Sequence, residues 1–296
     1  MVLKSSTINY YQDDGESFAK VDANSLSFTC RIAGLDNKGD AVILLHGFPE
    51  TSHMWHKLIP LLKNDGFIVI APDQRGYSMG ARPSGKNAYK IENLVQDVLS
   101  IADAFGIEKF HLVGHDWGSA VGWAVVSRFP DRIKSWTALS VPHLSAFLNS
   151  YKTNTIQKKK SQYISFFLKP FIPEIYFKIF KFKNLKKIWN YSTDIQITKY
   201  LDVFKQPKAI KSALHWYRAN IENEQKLLAE IITPTILIWG EKDMAIGYQS
   251  IKDTQQFMKG SYQLETLKAG HWLIQEKFES VSKLILLHLN NNKNRN

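Results

Sequence analysis

Short, mostly apolar runs recur along the first half of the chain and alternate with segments of helical periodicity. The runs occupy residues 41–45, 67–71, 110–113 and 135–139. A continuous apolar run of this length is typical of a strand that is buried on both faces of a sheet. Between two of them, residues 91–105 repeat apolar side chains at the i, i+3, i+4 and i+7 positions of a helix with one buried face. This alternation predicts an α/β fold, in which a mostly parallel central sheet is flanked by helices.

The alternation stops in the middle of the chain. Residues 143–228 are rich in lysine and aromatic side chains, have a helical pattern and contain no convincing buried strand. Strand-like runs return at residues 235–239 and 262–267, and a final helical pattern follows them. We therefore expect one α/β core, built from residues 1–142 and 229–296, that is interrupted by a mainly helical insertion at residues 143–228.

The positive charge of the chain is concentrated in this insertion. The whole chain has a net charge of +11, and between His143 and Glu230 there are 15 lysines and one arginine against six acidic residues, a net charge of +10. No motif of a nucleic-acid-binding domain accompanies the charge, because zinc-ligand spacing, basic heptads and an aromatic-basic sheet signature are all missing from the sequence. We therefore expect no nucleic-acid partner. Two interpretations remain, a solvated basic surface or a surface that attracts an acidic partner or a membrane.

Cysteine and histidine usage limits the class of protein further. Cys30 is the only cysteine, so the chain cannot form an internal disulfide, and its alternating surroundings predict a strand residue. No window approaches the roughly 18 consecutive apolar residues of a membrane-spanning helix, and residues 1–20 lack the apolar stretch of a signal peptide. We expect a cytoplasmic protein without a membrane span. The spacing of His46, His53 and His56 matches no familiar zinc motif, and we expect neither a metal nor a cofactor.

The motif that says most about function is Gly114-His115-Asp116-Trp117-Gly118, which lies between a predicted strand and a predicted helix. Glycines in this context let the backbone turn sharply, so that one side chain rises above the carboxyl edge of the sheet. Ligands of parallel sheets bind at that edge. The residue at the centre of such a turn is the nucleophile of many hydrolases, and here it is Asp116 in place of a serine.

Two further residues follow in the order of a catalytic triad, which is nucleophile, acid, histidine. Asp243 comes just after the predicted strand at residues 235–239, and His271 comes after the strand at residues 262–267. Taken singly, the aspartate could be a turn residue and the histidine a surface or core residue. Their joint placement favours catalysis, with His271 oriented by Asp243.

The loop after the first buried strand, residues 46–49, predicts another component of the site. A backbone N–H from this loop, that of Phe48, and the N–H of Trp117, the residue after the nucleophile, are placed to form an oxyanion hole. We interpret His46 as a residue that orders the loop, with direct catalysis as the alternative.

Three motifs together resemble the epoxide hydrolase branch of the α/β-hydrolase superfamily. They are HGFPE at residues 46–50 with Trp55, DQRGYS at residues 73–78 and GHDWG at residues 114–118. The resemblance extends from about Val21 to Leu289. It implies an α/β-hydrolase fold in which the mainly helical insertion is the cap domain.

The resemblance also implies two cap tyrosines that act as acids. The sequence LHWYR places Tyr217 in a segment like the family's second tyrosine segment, and SQY places Tyr163, by a looser match, in the first. Tyr151 and Tyr176 also lie in the cap, and ordinary aromatic packing is the alternative for each of these tyrosines.

Other aromatic side chains of the cap indicate the kind of substrate. Phe166 and Trp216 stand close to the two tyrosines in the sequence. We interpret both as substrate-binding residues, and they favour a small apolar or aromatic epoxide.

An aspartate nucleophile restricts the chemistry that the site can perform. A serine that attacks a saturated carbon leaves an ether, whereas a carboxylate leaves an ester that water can hydrolyse. Asp116 therefore predicts hydrolysis of an epoxide to a vicinal diol through a covalent aspartyl ester, with the water activated by His271. The opening epoxide leaves an alkoxide that requires a proton donor, and Tyr163 and Tyr217 suit that role.

Two alternatives stay open at this point. Haloalkane dehalogenases share the aspartate–tryptophan turn, so Trp117 does not separate a haloalkane or haloacid dehalogenase from an epoxide hydrolase. A ligand-binding α/β-hydrolase-like receptor would retain the pocket without turnover. The close motif match at Tyr217 favours the epoxide.

Overall fold

A nine-stranded sheet organises the part of the chain that the structure describes, residues 7–221 and 228–293 of a computed structural model. In chain order the strands are β1 Ile8–Asp13, β2 Glu16–Ala23, β3 Leu26–Ala33, β4 Ala41–Leu45, β5 Ile68–Pro72, β6 Phe110–His115, β7 Ile133–Leu139, β8 Thr235–Gly240 and β9 Tyr262–Leu267. In space their order is β1-β2-β3-β5-β4-β6-β7-β8-β9. Neighbouring strands from β5 to β9 are parallel, and β1, β2 and β3 are added antiparallel at one edge.

The predicted parallel sheet is confirmed. β4 and β9 coincide with the runs from which they were inferred, and the other four predicted strands of the parallel sheet differ from the observed ones by one or two residues at one or both ends. Every residue of β4, β6 and β8 is buried, as expected for strands that are covered on both faces.

The edge strands β1 and β2 are the part of the sheet that the sequence does not reveal. Only the run around Cys30, which is β3, predicts a strand before β4. β1 exposes five of its six residues, so it has no buried face that would produce an alternating pattern. Its pairing with β2 therefore depends on backbone hydrogen bonds across the register from Ile8–Val21 to Asp13–Glu16.

Helices lie on both faces of the sheet and form the insertion above it. In chain order they are α1 Leu58–Asn64, α2 Ile91–Ala104, α3 Trp117–Arg128, α4 Leu144–Thr153, α5 Thr155–Lys160, α6 Gln162–Leu168, α7 Ile172–Lys186, α8 Asp194–Phe204, α9 Ala209–Asn220, α10 Tyr248–Asp253, α11 Leu273–Glu276 and α12 Phe278–Asn290. α4 to α9 belong to the insertion predicted at residues 143–228, of which residues 222–227 lie outside the described residues. The division into core and cap stays a prediction. No helix within the described ranges is long and apolar enough to cross a bilayer.

The contact between α3 and the sheet depends on a glycine. A Cβ atom added to Gly122 would lie 2.0 Å from the ring of Trp136 on β7, so only glycine lets the helix pack this closely. Trp123 packs edge-on against the same ring, with centroids 5.7 Å apart. Because α3 begins at Trp117, this contact also positions the residues at the start of the helix.

Side chains of the insertion attach it to loops at the carboxyl edge of the sheet. Asn220 at the end of α9 accepts a hydrogen bond from the N–H of Ile91 and donates to the carbonyl of Tyr89, at 2.8 and 3.0 Å. The indole N–H of Trp189 donates to the carbonyl of Pro49 at 3.1 Å. These groups are buried, so the bonds satisfy polar atoms that would otherwise lose water without a partner.

Candidate active site

Asp116 occupies the sharp turn between β6 and α3, as the sequence predicts. Its φ of 52° and ψ of −119° are unfavourable for any residue other than glycine, a type of strain that concentrates at functional sites. The flanking glycines make the turn possible. A Cβ atom on Gly114 would lie 2.5 Å from the carbonyl oxygen of Gly118, and one on Gly118 would lie 2.2 Å from that of Leu45.

The two carboxylate oxygens of Asp116 have different partners. The backbone N–H of Phe48 donates to Oδ1 at 2.7 Å, while Oδ2 lies 3.4 Å from Nε2 of His271. Gly47 allows this approach, because a Cβ atom there would lie 2.4 Å from Oδ1. Trp117 begins α3, so its N–H has no acceptor within the helix.

The structure brings His271 and Asp243 together behind the carboxylate of Asp116. Nδ1 of His271 lies 2.8 Å from Oδ2 of Asp243. The other oxygen of Asp243, which is fully buried, accepts hydrogen bonds from the N–H groups of Ala245 and Ile246 at 2.7 and 2.9 Å. With both oxygens engaged, Asp243 holds the imidazole so that Nδ1 is protonated and Nε2 faces Asp116.

The charges of these residues are coupled. Burial by itself would lower the pKa of His271, but the charge of Asp243 and the hydrogen bonds and charge of Asp116 raise that pKa to about 10. Burial opposes the charge of Asp116, yet the hydrogen bond and charge of His271 keep the pKa of Asp116 below its ordinary value. Asp116 is therefore an anion beside a protonated histidine when nothing is bound.

Tyr163 on α6 and Tyr217 on α9 line the same cavity as Asp116. Their ring centroids are 6.3 Å apart, and the ring of Tyr217 lies edge-on to that of Trp117 at 5.0 Å. Burial and the nearby charge of Asp116 raise the pKa of both tyrosines above the ordinary value. Both hydroxyls are therefore protonated at neutral pH. Tyr176, another tyrosine of the cap, is exposed and lies farther out, against Phe166.

Comparison with known proteins places this geometry in a family. Residues 40–175 match the model of the alpha/beta hydrolase fold. The AB hydrolase superfamily protein YfhM of Bacillus subtilis is 32% identical over 94% of this chain and 99% of its own length. Human epoxide hydrolase 4 is 33% identical over 90% of this chain and 77% of its own length. The chain belongs to the epoxide hydrolase branch of the α/β-hydrolase superfamily.

A solved structure of this branch has the same architecture as the chain. It is a point mutant of an epoxide hydrolase from Bacillus megaterium, in complex with its product, a naphthyloxy-propane-1,2-diol. The two chains are 26% identical and superpose with a TM-score of 0.83, over 90% of this chain and 98% of the other. The resemblance inferred from the three sequence motifs is thereby confirmed.

Two cavities meet at Tyr163 in this member of the epoxide hydrolase branch. The inner cavity has a volume of about 60 Å³, and Asp116 and Tyr217 line it together with apolar side chains, among them Leu144, Phe147, Leu148 and Ile246. The outer cavity has a volume of about 790 Å³ and is lined by His271, by residues of α6 and α7 such as Phe166 and Phe177, and by Lys187, which follows α7. Because Tyr163 lines both cavities, the two spaces adjoin each other at its side chain.

The two residues expected to bind substrate lie in different places. Phe166 lines the outer cavity, and its role in substrate binding stays a prediction. Trp216 lines neither of the two cavities, because its indole N–H donates to the carbonyl of Arg75 at 2.9 Å and its ring packs edge-on against Trp117 at 5.7 Å. The structure thus differs from the prediction that Trp216 binds substrate. Trp216 instead packs against the ring of Trp117.

Glu50 is part of the site although the sequence analysis treats it only as a motif residue. Its side chain is almost completely buried, and Oε2 lies 3.1 Å from Nδ1 of His115, the residue before Asp116. Nε2 of His115 lies 2.9 Å from the carbonyl oxygen of His271, and the hydroxyl of Tyr200 on α8 donates to Oε1 of Glu50 at 3.4 Å. An acidic residue inside an apolar loop that follows a buried strand is the signal that could have identified it.

His46 forms a hydrogen bond with the backbone of a neighbouring loop. Nε2 of His46 accepts a hydrogen bond from the N–H of Gln74 at 3.1 Å, which fits the interpretation that His46 orders the loop. Within residues 7–221 and 228–293 no group of three or more histidine, cysteine, aspartate or glutamate side chains is arranged to hold a metal ion.

Proposed function

We propose that this protein hydrolyses epoxides to vicinal diols through a covalent ester on Asp116. The observation that carries the proposal is the position of this carboxylate, held between the N–H of Phe48 and the imidazole of His271 in a cavity that two tyrosines, the buried Tyr217 and the partly buried Tyr163, also line. Membership of the epoxide hydrolase branch supports the reaction class.

In the first step Oδ2 of Asp116 attacks an epoxide carbon, and the ring C–O bond breaks as the new ester bond forms. The negative charge that leaves the carboxylate appears on the epoxide oxygen. Tyr163 and Tyr217 donate hydrogen bonds to that oxygen, and one of them gives up its proton. Their raised pKa keeps both hydroxyls protonated beforehand. Esterification removes the charge of Asp116 that contributes to this rise, so the tyrosines become better acids as the alkoxide forms.

In the second step a water molecule attacks the carbonyl carbon of the ester. Oδ1 of Asp116 becomes the oxyanion and is stabilised by the N–H of Phe48, with the N–H of Trp117 as the second donor. His271 takes the proton from the water through Nε2, and Asp243 stabilises the imidazolium that results. The tetrahedral intermediate then collapses: the bond between Cγ and Oδ2 of Asp116 breaks, and the diol leaves with Oδ2 after taking the proton from His271. The oxygen of the water stays in the carboxylate of Asp116, and the second proton of the water restores the tyrosine hydroxyl. The pKa of His271 falls when Asp116 is esterified, because two of the contributions that raise it come from the charged carboxylate. The histidine therefore becomes a base at the stage that requires one.

The substrate class follows from the walls of the two cavities. Apolar side chains dominate the inner cavity, and aromatic side chains such as Phe166 and Phe177 line the outer one. We propose small apolar or aromatic epoxides, with the larger substituent in the outer cavity. The diol bound to the Bacillus megaterium relative carries a naphthyl group, which supports an aromatic substrate.

Trapping the covalent intermediate tests the mechanism. Replacing His271 with Gln removes the base but leaves the nucleophile, so incubation with styrene oxide should add the mass of one substrate to the protein, on the peptide that contains Asp116. The matched control is Asp116→Ala, which should show no added mass. In heavy-oxygen water, a single turnover of the wild type should label the carboxylate of Asp116 and leave the diol unlabelled.

Two outcomes, one of the labelling and one of a substrate panel, contradict the proposal. Label in the diol after the first turnover would mean that water attacks the epoxide directly. Release of bromide from a bromoalkane, with no turnover in a panel of aromatic and aliphatic epoxides, would mean that the same nucleophile serves a dehalogenase.

A further inference from the structure

The exposed face of α7 carries apolar side chains in a helical stripe. Ile172, Ile175, Tyr176 and Ile179 follow the i, i+3, i+4, i+7 spacing, and their exposed fractions range from 37% to 60%. The opposite face buries Pro173 and Phe177 against the rest of the cap. A solvent-facing helix surface is ordinarily polar, so this stripe lacks the partner that its composition requires.

The kink in α7 extends this apolar stripe. Residues 179–182 depart from helical geometry, and Phe180, at φ 49°, is 77% exposed, the highest exposed fraction among the large apolar side chains of the described residues. Phe171, which precedes the helix, is 70% exposed. Apolar side chains therefore project into solvent from both ends of the first part of α7.

Lysines surround the stripe. The segment 169–187 contains six lysines, which are Lys169, Lys178, Lys181, Lys183, Lys186 and Lys187. Its one acidic residue, Glu174, is neutralised by Arg218, whose guanidinium donates to both carboxylate oxygens at 2.7 and 3.0 Å. Among the residues that the structure describes, no carboxylate forms an ion pair with any of the six lysines. We call Ile172, Ile175, Tyr176, Ile179 and Phe180, with these lysines, the α7 surface.

From the α7 surface we infer that the cap docks on an anionic lipid bilayer. Exposed aliphatic and aromatic side chains insert into the boundary between headgroups and acyl chains, and lysines beside them are attracted to acidic headgroups. A second copy of the chain would bring two strongly basic surfaces together, which charge repulsion opposes. A nucleic acid would use the lysines but would leave the isoleucines of the stripe in contact with water.

The α7 surface adjoins the entrance to the active site. Tyr176 and Lys187 line the outer cavity, which reaches inward to His271. Docking of α7 therefore places the outer cavity against the membrane, where apolar epoxides are concentrated by partitioning. This consequence for substrate supply rests on the proposed function, but lipid binding itself does not.

Vesicle co-sedimentation of the full chain at low salt tests the inference. Vesicles of phosphatidylcholine with about one third phosphatidylglycerol should bind the wild type, and pure phosphatidylcholine vesicles should bind it much more weakly, because the lysines contribute most of the attraction. The triple variant Lys178→Gln, Lys181→Gln, Lys183→Gln should lose about 100-fold in partition coefficient. The double variant Ile175→Ser, Phe180→Ser should also lose binding, because it removes the side chains that insert.

A matched control changes the same amount of charge elsewhere. Lys38→Gln, Lys268→Gln and Lys283→Gln remove three exposed lysines of the core, and this variant should bind acidic vesicles nearly as well as the wild type. Turnover of a water-soluble epoxide without vesicles is measured for every variant. Unchanged turnover with lost vesicle binding supports the docking surface, whereas a wild type that binds vesicles but turns over no epoxide contradicts the proposed function alone.

Several results would overturn the inference. Equal loss of binding in the core control and the α7 variant would show that total charge, and not the α7 surface, is responsible. Binding to polyglutamate without binding to acidic vesicles would assign the surface to an acidic polypeptide. A dimer of the wild type in analytical ultracentrifugation that the Ile175→Ser, Phe180→Ser variant abolishes would assign it to a second copy.

Discussion

Nε2 of His271 lies 3.4 Å from Oδ2 of Asp116, so the charge of the aspartate and the protonation of the histidine depend on each other. While Asp116 is ionised, it helps to hold the pKa of His271 at about 10. Formation of an ester on Asp116 removes that charge and leaves Asp243 as the remaining anionic partner. In the proposed mechanism, the same contact therefore keeps His271 protonated before alkylation and permits its deprotonation afterwards.

This relationship predicts different pH dependences for the two steps of the proposed mechanism. Hydrolysis requires neutral His271, so its rate should rise with pH and level off above the pKa of the histidine in the alkyl-enzyme, which lies below the value of about 10 in the free enzyme. Alkylation requires ionised Asp116, whose pKa is lowered, and should therefore be independent of pH from mildly acidic to mildly alkaline conditions. Stopped-flow tryptophan fluorescence in single-turnover mode separates the two rates. A hydrolysis rate whose midpoint stays near pH 10 would contradict the coupling.

The two tyrosines should contribute to alkylation and not to hydrolysis. Tyr217→Phe removes a donor to the epoxide oxygen and should lower the alkylation rate by roughly 100-fold, the usual scale for the loss of a positioned acid. Tyr163→Phe should have a similar effect, and the double variant should be close to inactive. Tyr176→Phe is the matched control, because this tyrosine lies in the outer cavity and should leave alkylation unchanged. Normal alkylation in the double variant would exclude the role.

Local sequence signals predict most of the strands and helices, and they also predict the sharp turn that carries Asp116. Strands such as β4 and β8 are buried on both faces, and their continuous apolar runs are therefore legible in the sequence. The turn at Asp116 is equally legible, because close backbone contacts leave no room for a side chain at Gly114 or Gly118. β1 has no apolar run or alternating pattern in its sequence, because almost all of its residues face solvent.

Features that depend on how the cap docks could not be read from the sequence. The aromatic character of Trp216 is visible, but whether its ring faces a cavity or the back of Trp117 depends on the position of α9 relative to α3. The environment of Glu50 also depends on tertiary contacts. Its burial becomes apparent only when His115 and Tyr200, which are distant in sequence, are brought beside it.

Substitution of Gly122 tests the packing that positions the turn at Asp116. Gly122→Ala places a Cβ atom 2.0 Å from the ring of Trp136, so α3 or the ring must shift, and the free energy of unfolding should fall by about 1–3 kcal/mol. Urea denaturation measures the change. Trp136→Leu should relieve part of the clash, so the double variant should be more stable than the sum of the two single effects predicts. Additive effects would show that the two residues do not contact each other as described.

The unequal sizes of the two cavities predict a preference among epoxides. An inner cavity of about 60 Å³ accepts only a small group, whereas the outer cavity of about 790 Å³ accepts an aromatic ring. The wild type should therefore have a higher kcat/KM for styrene oxide than for trans-stilbene oxide, which carries a ring on both epoxide carbons. Leu148→Ala removes a side chain from the inner wall and should raise kcat/KM for trans-stilbene oxide by roughly 10-fold, with little change for styrene oxide.

A change in the outer cavity separates this effect from a general loosening of the cap. Ile188 lines only the outer of the two cavities, so Ile188→Ala enlarges a space that is already large and should leave the ratio of the two kcat/KM values near that of the wild type. Steady-state kinetics with both epoxides on the three proteins gives the ratios directly. A steric limit in the inner cavity acts only on a substrate that enters this cavity. If Leu148→Ala raises kcat/KM equally for both epoxides, the inner cavity therefore does not hold the second substituent of trans-stilbene oxide. The same conclusion follows if Ile188→Ala shifts the ratio of the two kcat/KM values as strongly as Leu148→Ala does.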